Sequence, residues 1–164
     1  MRDNVVLIGM MGCGKSTVGK LLAKELGFTF VDTDQYIEEA LGRSIPDIFA
    51  REGEAFFRDW ELGAAEELAQ RKGQVVACGG GLPTRADSIA SLKESGTVIF
   101  LRRDPGGIYD NVSMGGRPLG QQGREAFLER YAGREPIYLE WADHVVDVQA
   151  TPAETVQRIL EVLK

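Results

Sequence analysis

Residues 5–17 decide the fold of this chain, and they read Val5-Val6-Leu7-Ile8-Gly9-Met10-Met11-Gly12-Cys13-Gly14-Lys15-Ser16-Thr17. A short apolar run leads into glycines, then into a lysine and two hydroxyl residues, and a helical pattern follows from Val18. Gly9, Gly14, Lys15 and Ser16 occupy the fixed positions of the motif G-x-x-x-x-G-K-[ST], which joins a strand to a helix. The stretch is therefore predicted to bind the phosphates of a nucleotide.

Each residue type in this loop has a chemical reason. Glycines allow the backbone to curl around an anion, so that its N–H groups and the positive end of the next helix face phosphate oxygens. Lys15 adds a mobile positive charge between the β- and γ-phosphates, and the Ser16 hydroxyl is a hard oxygen ligand for Mg²⁺. The predicted ATP contacts in the loop are Gly12, Cys13, Gly14, Lys15, Ser16 and Thr17.

Cys13 suggests a second hypothesis, because an anion-binding loop stabilises a thiolate. We expect the Cys13 thiol to react with thiol reagents and bound nucleotide to protect it.

Composition limits the possible functions. With 164 residues the chain suits one domain, spanning residues 1–164. Its net charge of −6 argues against non-specific nucleic-acid binding, and it contains no apolar stretch of membrane-spanning length. The start of the chain enters a strand almost at once, so no signal or transit peptide is expected. Its two cysteines favour a reducing compartment. A cytoplasmic enzyme is expected, although a processed organellar protein would look the same.

Hydrophobic patterning predicts strands that alternate with helices. The predicted strands are 5–8, 28–31, 75–78, 97–101 and 145–148. The predicted helices are 18–26, 35–41, 44–50, 54–71 and 83–93, with a last helix from Pro152. This alternation indicates an α/β fold with a mainly parallel sheet, in which ligands bind beyond the carboxyl ends of the strands.

Three chemically suggestive stretches directly follow predicted strands: the phosphate loop, Asp32-Thr33-Asp34 and Gly79-Gly80-Gly81. On an extended strand end, Asp32 and Asp34 point the same way. One carboxylate could then hold Mg²⁺ through a water while the other accepts a hydrogen bond or a proton from a substrate hydroxyl. Alternatively, Asp34 simply caps a helix that begins at Gln35.

A segment of about residues 104–123 has no clean periodicity and contains six glycines: Gly106, Gly107, Gly115, Gly116, Gly120 and Gly123. We interpret it as a lid with glycine hinges, because phosphoryl transfer benefits from excluding water. Arg117 lies near its centre, where an arginine can meet the charge that develops on a transferring phosphoryl group.

Two other arginines look ordinary by their spacing alone. Arg58 has Glu54 four residues before it and Glu61 three residues after it, which favours surface ion pairs. Arg134 carries no local signal. His144, Trp60 and Trp141 are interpreted as structural residues.

The combination of motifs resembles the shikimate kinase family. The matching stretches are Gly9 to Thr17, Phe30-Val31-Asp32-Thr33-Asp34, Ser44-Ile45 with Ile48-Phe49, Gly53-Glu54 with Phe57-Arg58 and Glu61, Cys78-Gly79-Gly80-Gly81, Arg117-Pro118-Leu119, and Arg134 with Pro136 and Tyr138. The resemblance implies transfer of the ATP γ-phosphate to the 3-hydroxyl of shikimate, a step towards chorismate and the aromatic amino acids. It also implies a three-layer phosphate-loop kinase fold like that of nucleoside monophosphate kinases, with a five-stranded parallel sheet of order 2-3-1-4-5, and a monomer.

The resemblance also assigns roles to single residues. It implies that Lys15 and Arg117 stabilise the transferring group, and that Ser16 binds one Mg²⁺ with Asp32 reaching it through water. It implies that Asp34 binds the shikimate hydroxyls and acts as base, while Gly80 supplies a backbone donor. The shikimate carboxylate is assigned to Arg58 and Arg134.

One position departs from the family pattern. Members commonly carry an arginine seven residues before the lid arginine, packed against adenine, and this chain has Asp110 there. The adenine is instead expected near the turn 149–152, with Gln149 as an ATP contact. Two alternative functions were left open by the residues: a kinase for another hydroxylated acid such as gluconate, and a nucleotide-dependent switch.

Overall fold

The sheet is that of the predicted topology. The structure, a computed structural model, describes residues 3–104 and 123–164. Its strands are β1 (Asn4–Ile8), β2 (Thr29–Asp32), β3 (Gln74–Ala77), β4 (Gly96–Arg102) and β5 (His144–Asp147). All four pairings are parallel and the order is β2-β3-β1-β4-β5, which confirms the prediction. β1 and β3 are buried along their whole length, and after their polar first residues both are continuous apolar runs, as expected for parallel strands covered on both faces.

The helices pack on this sheet. They are α1 (Lys15–Leu26), α2 (Thr33–Leu41), α3 (Ile45–Glu52), α4 (Glu54–Ala69), α5 (Ala86–Ser95), α6 (Arg124–Trp141) and α7 (Pro152–Leu163). Most predicted helices are recovered with shifted ends, and Ser44 caps α3 as expected. The predicted helix 83–93 is wrong in its first turn, because residues Leu82–Thr84 form a 3₁₀ turn before α5 begins.

Helix α6 was not predicted. Gly133 and Pro136 interrupt its sequence, and proline removes a helical hydrogen bond and clashes with the preceding turn. Three aromatic side chains of α6, Phe127, Tyr131 and Tyr138, are nevertheless buried in the core. Tertiary packing of these rings therefore stabilises a helix that propensity alone disfavours.

Two apolar clusters hold the helices and strands that carry the site in position. The larger one surrounds the sheet, with Leu7, Ile8 and Phe100 fully buried. The smaller one joins α2, α3 and α4 through Ile37, Ile48, Phe57 and Ala64. This second cluster holds the start of α4, and with it Arg58, beside the carboxyl ends of the strands.

The expected lid, with Arg117 and Asp110, falls almost wholly on residues outside the described part of the chain. Among the described helices, none is long and apolar enough to cross a membrane.

Candidate active site

The phosphate loop joins β1 to α1, as the motif requires. Gly9, Gly12 and Gly14 all have positive φ, a conformation that side chains disfavour. A Cβ on Gly9 would also lie 2.7 Å from the Leu101 carbonyl oxygen, so glycine is required there twice over. No side chain caps the first turn of α1. Its N–H groups are thus available for an anion.

Lys15 is held rather than mobile. Its Nζ donates hydrogen bonds to the carbonyl oxygens of Gly9, at 2.7 Å, and Met10, at 2.9 Å. The residue is only 8% exposed. The ammonium is therefore bound to the curled loop itself, at the place where phosphate oxygens are expected.

The Asp32 side chain connects α1 to α2 through hydrogen bonds, and the interpretation that Asp34 caps α2 is wrong. The helix begins at Thr33, so the cap is Asp32 and not Asp34. Its Oδ1 accepts from the N–H groups of Asp34, at 2.9 Å, and Gln35, at 3.2 Å. Its Oδ2 accepts from the Ser16 hydroxyl at 2.9 Å. Two hard oxygen donors, Ser16 Oγ and Asp32 Oδ2, thus lie side by side.

Asp34 lies in the first turn of α2, so the expectation that it shares an extended strand end with Asp32 is wrong. Both carboxylates nevertheless line one cavity of about 450 Å³, together with Lys15, Ser16 and Gly80. Burial and the neighbouring Asp32 raise the pKa of Asp34 to about 6, and Lys15 opposes part of this rise. A carboxylate with such a pKa can accept a proton near neutral pH.

The glycine triplet after β3 gathers three charged side chains. A Cβ on Gly79 would overlap the Asp34 carboxylate, and one on Gly81 would overlap the Arg58 guanidinium. A Cβ on Gly80 would lie 3.3 Å from Arg134 Nη1. Side chains from α2, α4 and α6 therefore converge on three successive glycines, and each side chain lies against a different glycine.

The triplet also adjoins the phosphate loop. The same added Cβ on Gly80 would lie 3.4 Å from the Met11 backbone nitrogen and 3.7 Å from the Gly9 carbonyl oxygen. An anion held by Arg58 and Arg134 would thus sit beside the site for the nucleotide phosphates.

Arg58 is not a surface residue, because its side chain is 15% exposed. It makes both ion pairs that its spacing predicts: Nη2 lies 2.9 Å from Glu54 Oε2, and Nη1 lies 2.6 Å from Glu61 Oε1. These pairs fix the guanidinium against Gly81.

Two residues that are not among the predicted site residues, Glu61 and Tyr138, belong to this site. Glu61 is 1% exposed, and its Oε2 has no hydrogen-bond partner within the described residues. Burial raises the pKa of Glu61 to about 7, although Arg58 opposes the rise. Tyr138 is fully buried, and its hydroxyl donates to the Gly80 carbonyl oxygen at 2.6 Å. The signal for Glu61 was its spacing from Arg58, whereas Tyr138 had only its place in the family motif.

Cys13 does not fit the expectation of a reactive thiol. The residue is 1% exposed, and its Sγ lies 3.7 Å from Lys15 Nζ on the protein side of the loop. Burial of this kind argues against the expected reactivity of the Cys13 thiol, and labelling rates with and without ATP test that expectation.

The remaining expected ATP contact, Gln149, lies just after β5. Its backbone N–H donates to Thr155 Oγ1 at 2.9 Å, and its side chain donates to the Asp147 carbonyl at 2.7 Å. A second cavity, of about 490 Å³, opens beside this turn at the ends of β4 and β5. Asp147 and Val148 line it, whereas Gln149 does not.

The close approach at Gly79 gives a testable prediction. Gly79→Ala is expected to displace the Asp34 carboxylate and to lower turnover by roughly 10²-fold, since small misplacements of reacting groups have effects of that size. The matched control is Gly63→Ala on α4, where an added Cβ meets no atom within 4 Å. It should keep full activity and raise the free energy of unfolding by about 0.5–1 kcal/mol. Wild-type turnover in Gly79→Ala would contradict the close contact.

The strand order, the glycine loop and the Lys15–Ser16–Asp32 arrangement define a phosphate-loop kinase fold. The family model described as shikimate kinase matches residues 11–164. The chain therefore belongs to the shikimate kinase family.

Individual relatives agree with this membership. A shikimate kinase of Moorella thermoacetica is 43% identical over 171 aligned residues, covering 100% of this chain and 96% of the relative. One of Clostridium beijerinckii is 38% identical and covers 99% of this chain and 96% of the relative. Among solved structures, a shikimate kinase from Acinetobacter baumannii in complex with shikimate is 35% identical with a TM-score of 0.92, covering 99% of this chain and 93% of that one.

Proposed function

We propose that the chain transfers the γ-phosphate of ATP to the 3-hydroxyl of shikimate, giving shikimate 3-phosphate and ADP. The observation that carries this is the glycine triplet, against which Asp34, Arg134 and Arg58 each pack. Two guanidiniums suit the carboxylate of a small acid, and one carboxylate suits its hydroxyl groups. The family membership supports shikimate as that acid, and it does not favour gluconate or a nucleotide switch.

We assign the phosphates of the nucleotide to the phosphate loop. The backbone N–H groups from Gly12 to Thr17 surround the β-phosphate. When the nucleotide binds, the Lys15 ammonium gives up its hydrogen bonds to the loop carbonyls and donates to phosphate oxygens. Arg117 is assigned to the transferring phosphoryl group from the family resemblance alone, and Gln149 to the region of the adenine. Because the net charge of the chain is −6, these local cations, and not the protein as a whole, attract the anionic substrates.

The proposed cofactor is one Mg²⁺, which would be held by the Ser16 hydroxyl and, through a water, by Asp32. The two oxygen atoms, 2.9 Å apart, fit a hard cation that keeps most of its water and phosphate ligands. Within the described residues, no three acidic, histidine or cysteine side chains gather to form a metal cage. When bound, the ion neutralises charge on the phosphate oxygens.

Asp34 is the proposed base. As the 3-hydroxyl oxygen bonds to the γ-phosphorus, its proton passes to the Asp34 carboxylate and the bond to the ADP oxygen breaks. Arg58 and Arg134 hold the acceptor so that this oxygen faces the phosphate.

This role predicts a pH dependence. Because the pKa of Asp34 is raised to about 6, the ionised form dominates above that pH and is lost below it. We expect kcat/KM for shikimate to fall about tenfold per pH unit below pH 6. Asp34→Asn should be much slower and should lack this acidic limb. The same limb in the residual activity of Asp34→Asn would assign the titration to another group, Glu61 being the nearest candidate.

A coupled assay of ADP release tests the reaction itself. The wild-type protein is given Mg²⁺ and ATP with shikimate, with gluconate or with no acceptor. ADP release that depends on shikimate is expected. A switch would release or retain nucleotide regardless of the acceptor, and turnover with gluconate alone would indicate the other kinase.

The proposal extends to the domain organisation, the oligomeric state and the location of the protein. We assign the chain to one domain with a lid over about residues 104–123, acting as a monomer in the cytoplasm. Its product belongs to the route to chorismate and the aromatic amino acids. No nucleic acid or membrane partner is proposed.

A further inference from the structure

Tyr138 lies beneath the site without facing the cavity. Its side chain is fully buried, and its ring packs against Phe100 with the ring centroids 5.1 Å apart. Its hydroxyl donates to the Gly80 carbonyl oxygen at 2.6 Å and lies 3.4 Å from Met10 Sδ. A single hydroxyl thus contacts the glycine triplet and the phosphate loop together.

The glycine triplet needs such a support. Glycine has wide backbone freedom, so three in a row hold one shape only where other groups fix them. The Gly79 N–H donates to Thr33 Oγ1 at 2.9 Å, and the Gly79 carbonyl accepts from the Leu82 N–H at 3.0 Å. Among described residues, Tyr138 alone donates to the carbonyl of the middle glycine.

Fixing that carbonyl also orients a donor. In a trans peptide the N–H is antiparallel to the C=O, so the Gly80 carbonyl sets the direction of the Gly81 N–H. Within the described part of the chain, the N–H groups of Gly80 and Gly81 donate to no protein atom. Both donors therefore remain available for an anionic acceptor beside Arg58 and Arg134.

Arg134 lies beside the same glycine as the Tyr138 hydroxyl. Arg134 and Tyr138 lie four residues apart on α6, so their side chains share one face. Burial raises the pKa of Tyr138, and the positive charge of the Arg134 guanidinium opposes that rise. The hydroxyl stays protonated and donates to the carbonyl of Gly80, the glycine against which the Arg134 guanidinium also lies.

We propose that Tyr138 is a positioning residue of the acceptor site, whose hydroxyl holds the Gly80 peptide, beside the Arg134 guanidinium, in the arrangement that binds the substrate carboxylate. The inference rests on the proposed function, since it needs Gly80 and Arg134 to bind the acceptor. Tyr138 itself touches no substrate in this account.

Tyr138→Phe removes the hydroxyl and keeps the ring, so the packing on Phe100 is retained. We expect KM and the directly titrated Kd for shikimate to rise about tenfold, with kcat and KM for ATP within about twofold of wild type. Tyr36→Phe is the control, because it likewise removes a tyrosine hydroxyl, which in this case donates to Glu67 on α4. It should leave shikimate affinity unchanged.

Two results would overturn the inference. One is unchanged shikimate affinity in Tyr138→Phe, and the other is an equal loss of affinity for both substrates, as general loosening of the core would give. Binding is titrated per mole of folded protein, measured by thermal unfolding, so that lower stability does not imitate weaker binding. Failure of the wild-type protein to turn over shikimate would instead refute the proposed function.

Discussion

Lys15→Met is expected to abolish phosphoryl transfer, with kcat reduced by roughly 10³-fold or more. The ammonium is the cation of the loop, held within 2.9 Å of two loop carbonyls, and methionine fills the same space without charge. Charge that develops on the phosphate oxygens then has no partner at this position. Steady-state ADP release at saturating ATP and shikimate measures the effect.

The control separates this loss from a general loss of charge on α1. Lys24 is exposed in the last turn of the same helix, and Lys24→Met should keep wild-type turnover. Because Lys15 also donates to the Gly9 and Met10 carbonyls, thermal unfolding of both variants must be compared with wild type. Near-normal turnover in a folded Lys15→Met protein would refute the assigned role.

Arg134→Ala is the second prediction with a large expected effect. It should raise KM for shikimate roughly 10²-fold, as expected for loss of a charge-assisted contact, and leave KM for ATP within about twofold. Arg58→Ala should act in the same direction. It should also lower stability, because Glu61 then remains buried without its ion-pair partner.

Arg51→Ala supplies the matched control for both arginine variants. Arg51 lies on α3 with 72% of its side chain exposed, and within residues 3–104 and 123–164 it pairs only with Asp47 on its own helix. Its removal should change neither KM, since exposed pairs contribute little. Unchanged shikimate affinity in both Arg58→Ala and Arg134→Ala would remove the carboxylate-binding argument.

The sheet could be predicted from the sequence because local signals agree there. Short apolar runs, a glycine motif and intervening helical patterns each indicate a parallel sheet, whereas the strand order was implied by the family resemblance. Helix α6 could not be predicted in this way, since Pro136 and Gly133 oppose a helix, and the burial of Phe127, Tyr131 and Tyr138 stabilises it. Propensity and packing disagree at this element, and packing determines the outcome.

The site was predictable as a set of residues but not as a set of contacts. The motif named the residues of the phosphate loop, and family resemblance supplied roles for Arg58 and Arg134 that spacing did not reveal. Asp32 caps α2 instead of Asp34 because the helix begins two residues earlier than expected. The burial of Cys13 and the hydroxyl of Tyr138 under Gly80 depend on how loops fold onto the core, which no local pattern encodes.

A crystal structure of the protein with shikimate and ADP tests the central claim most directly. We predict that the shikimate carboxylate lies between the guanidiniums of Arg58 and Arg134, against Gly80 and Gly81. The 3-hydroxyl should lie within hydrogen-bond distance of Asp34 and face the phosphate loop. Shikimate bound with its carboxylate away from both arginines, or outside the cavity that Lys15 and Asp34 line, would contradict the account.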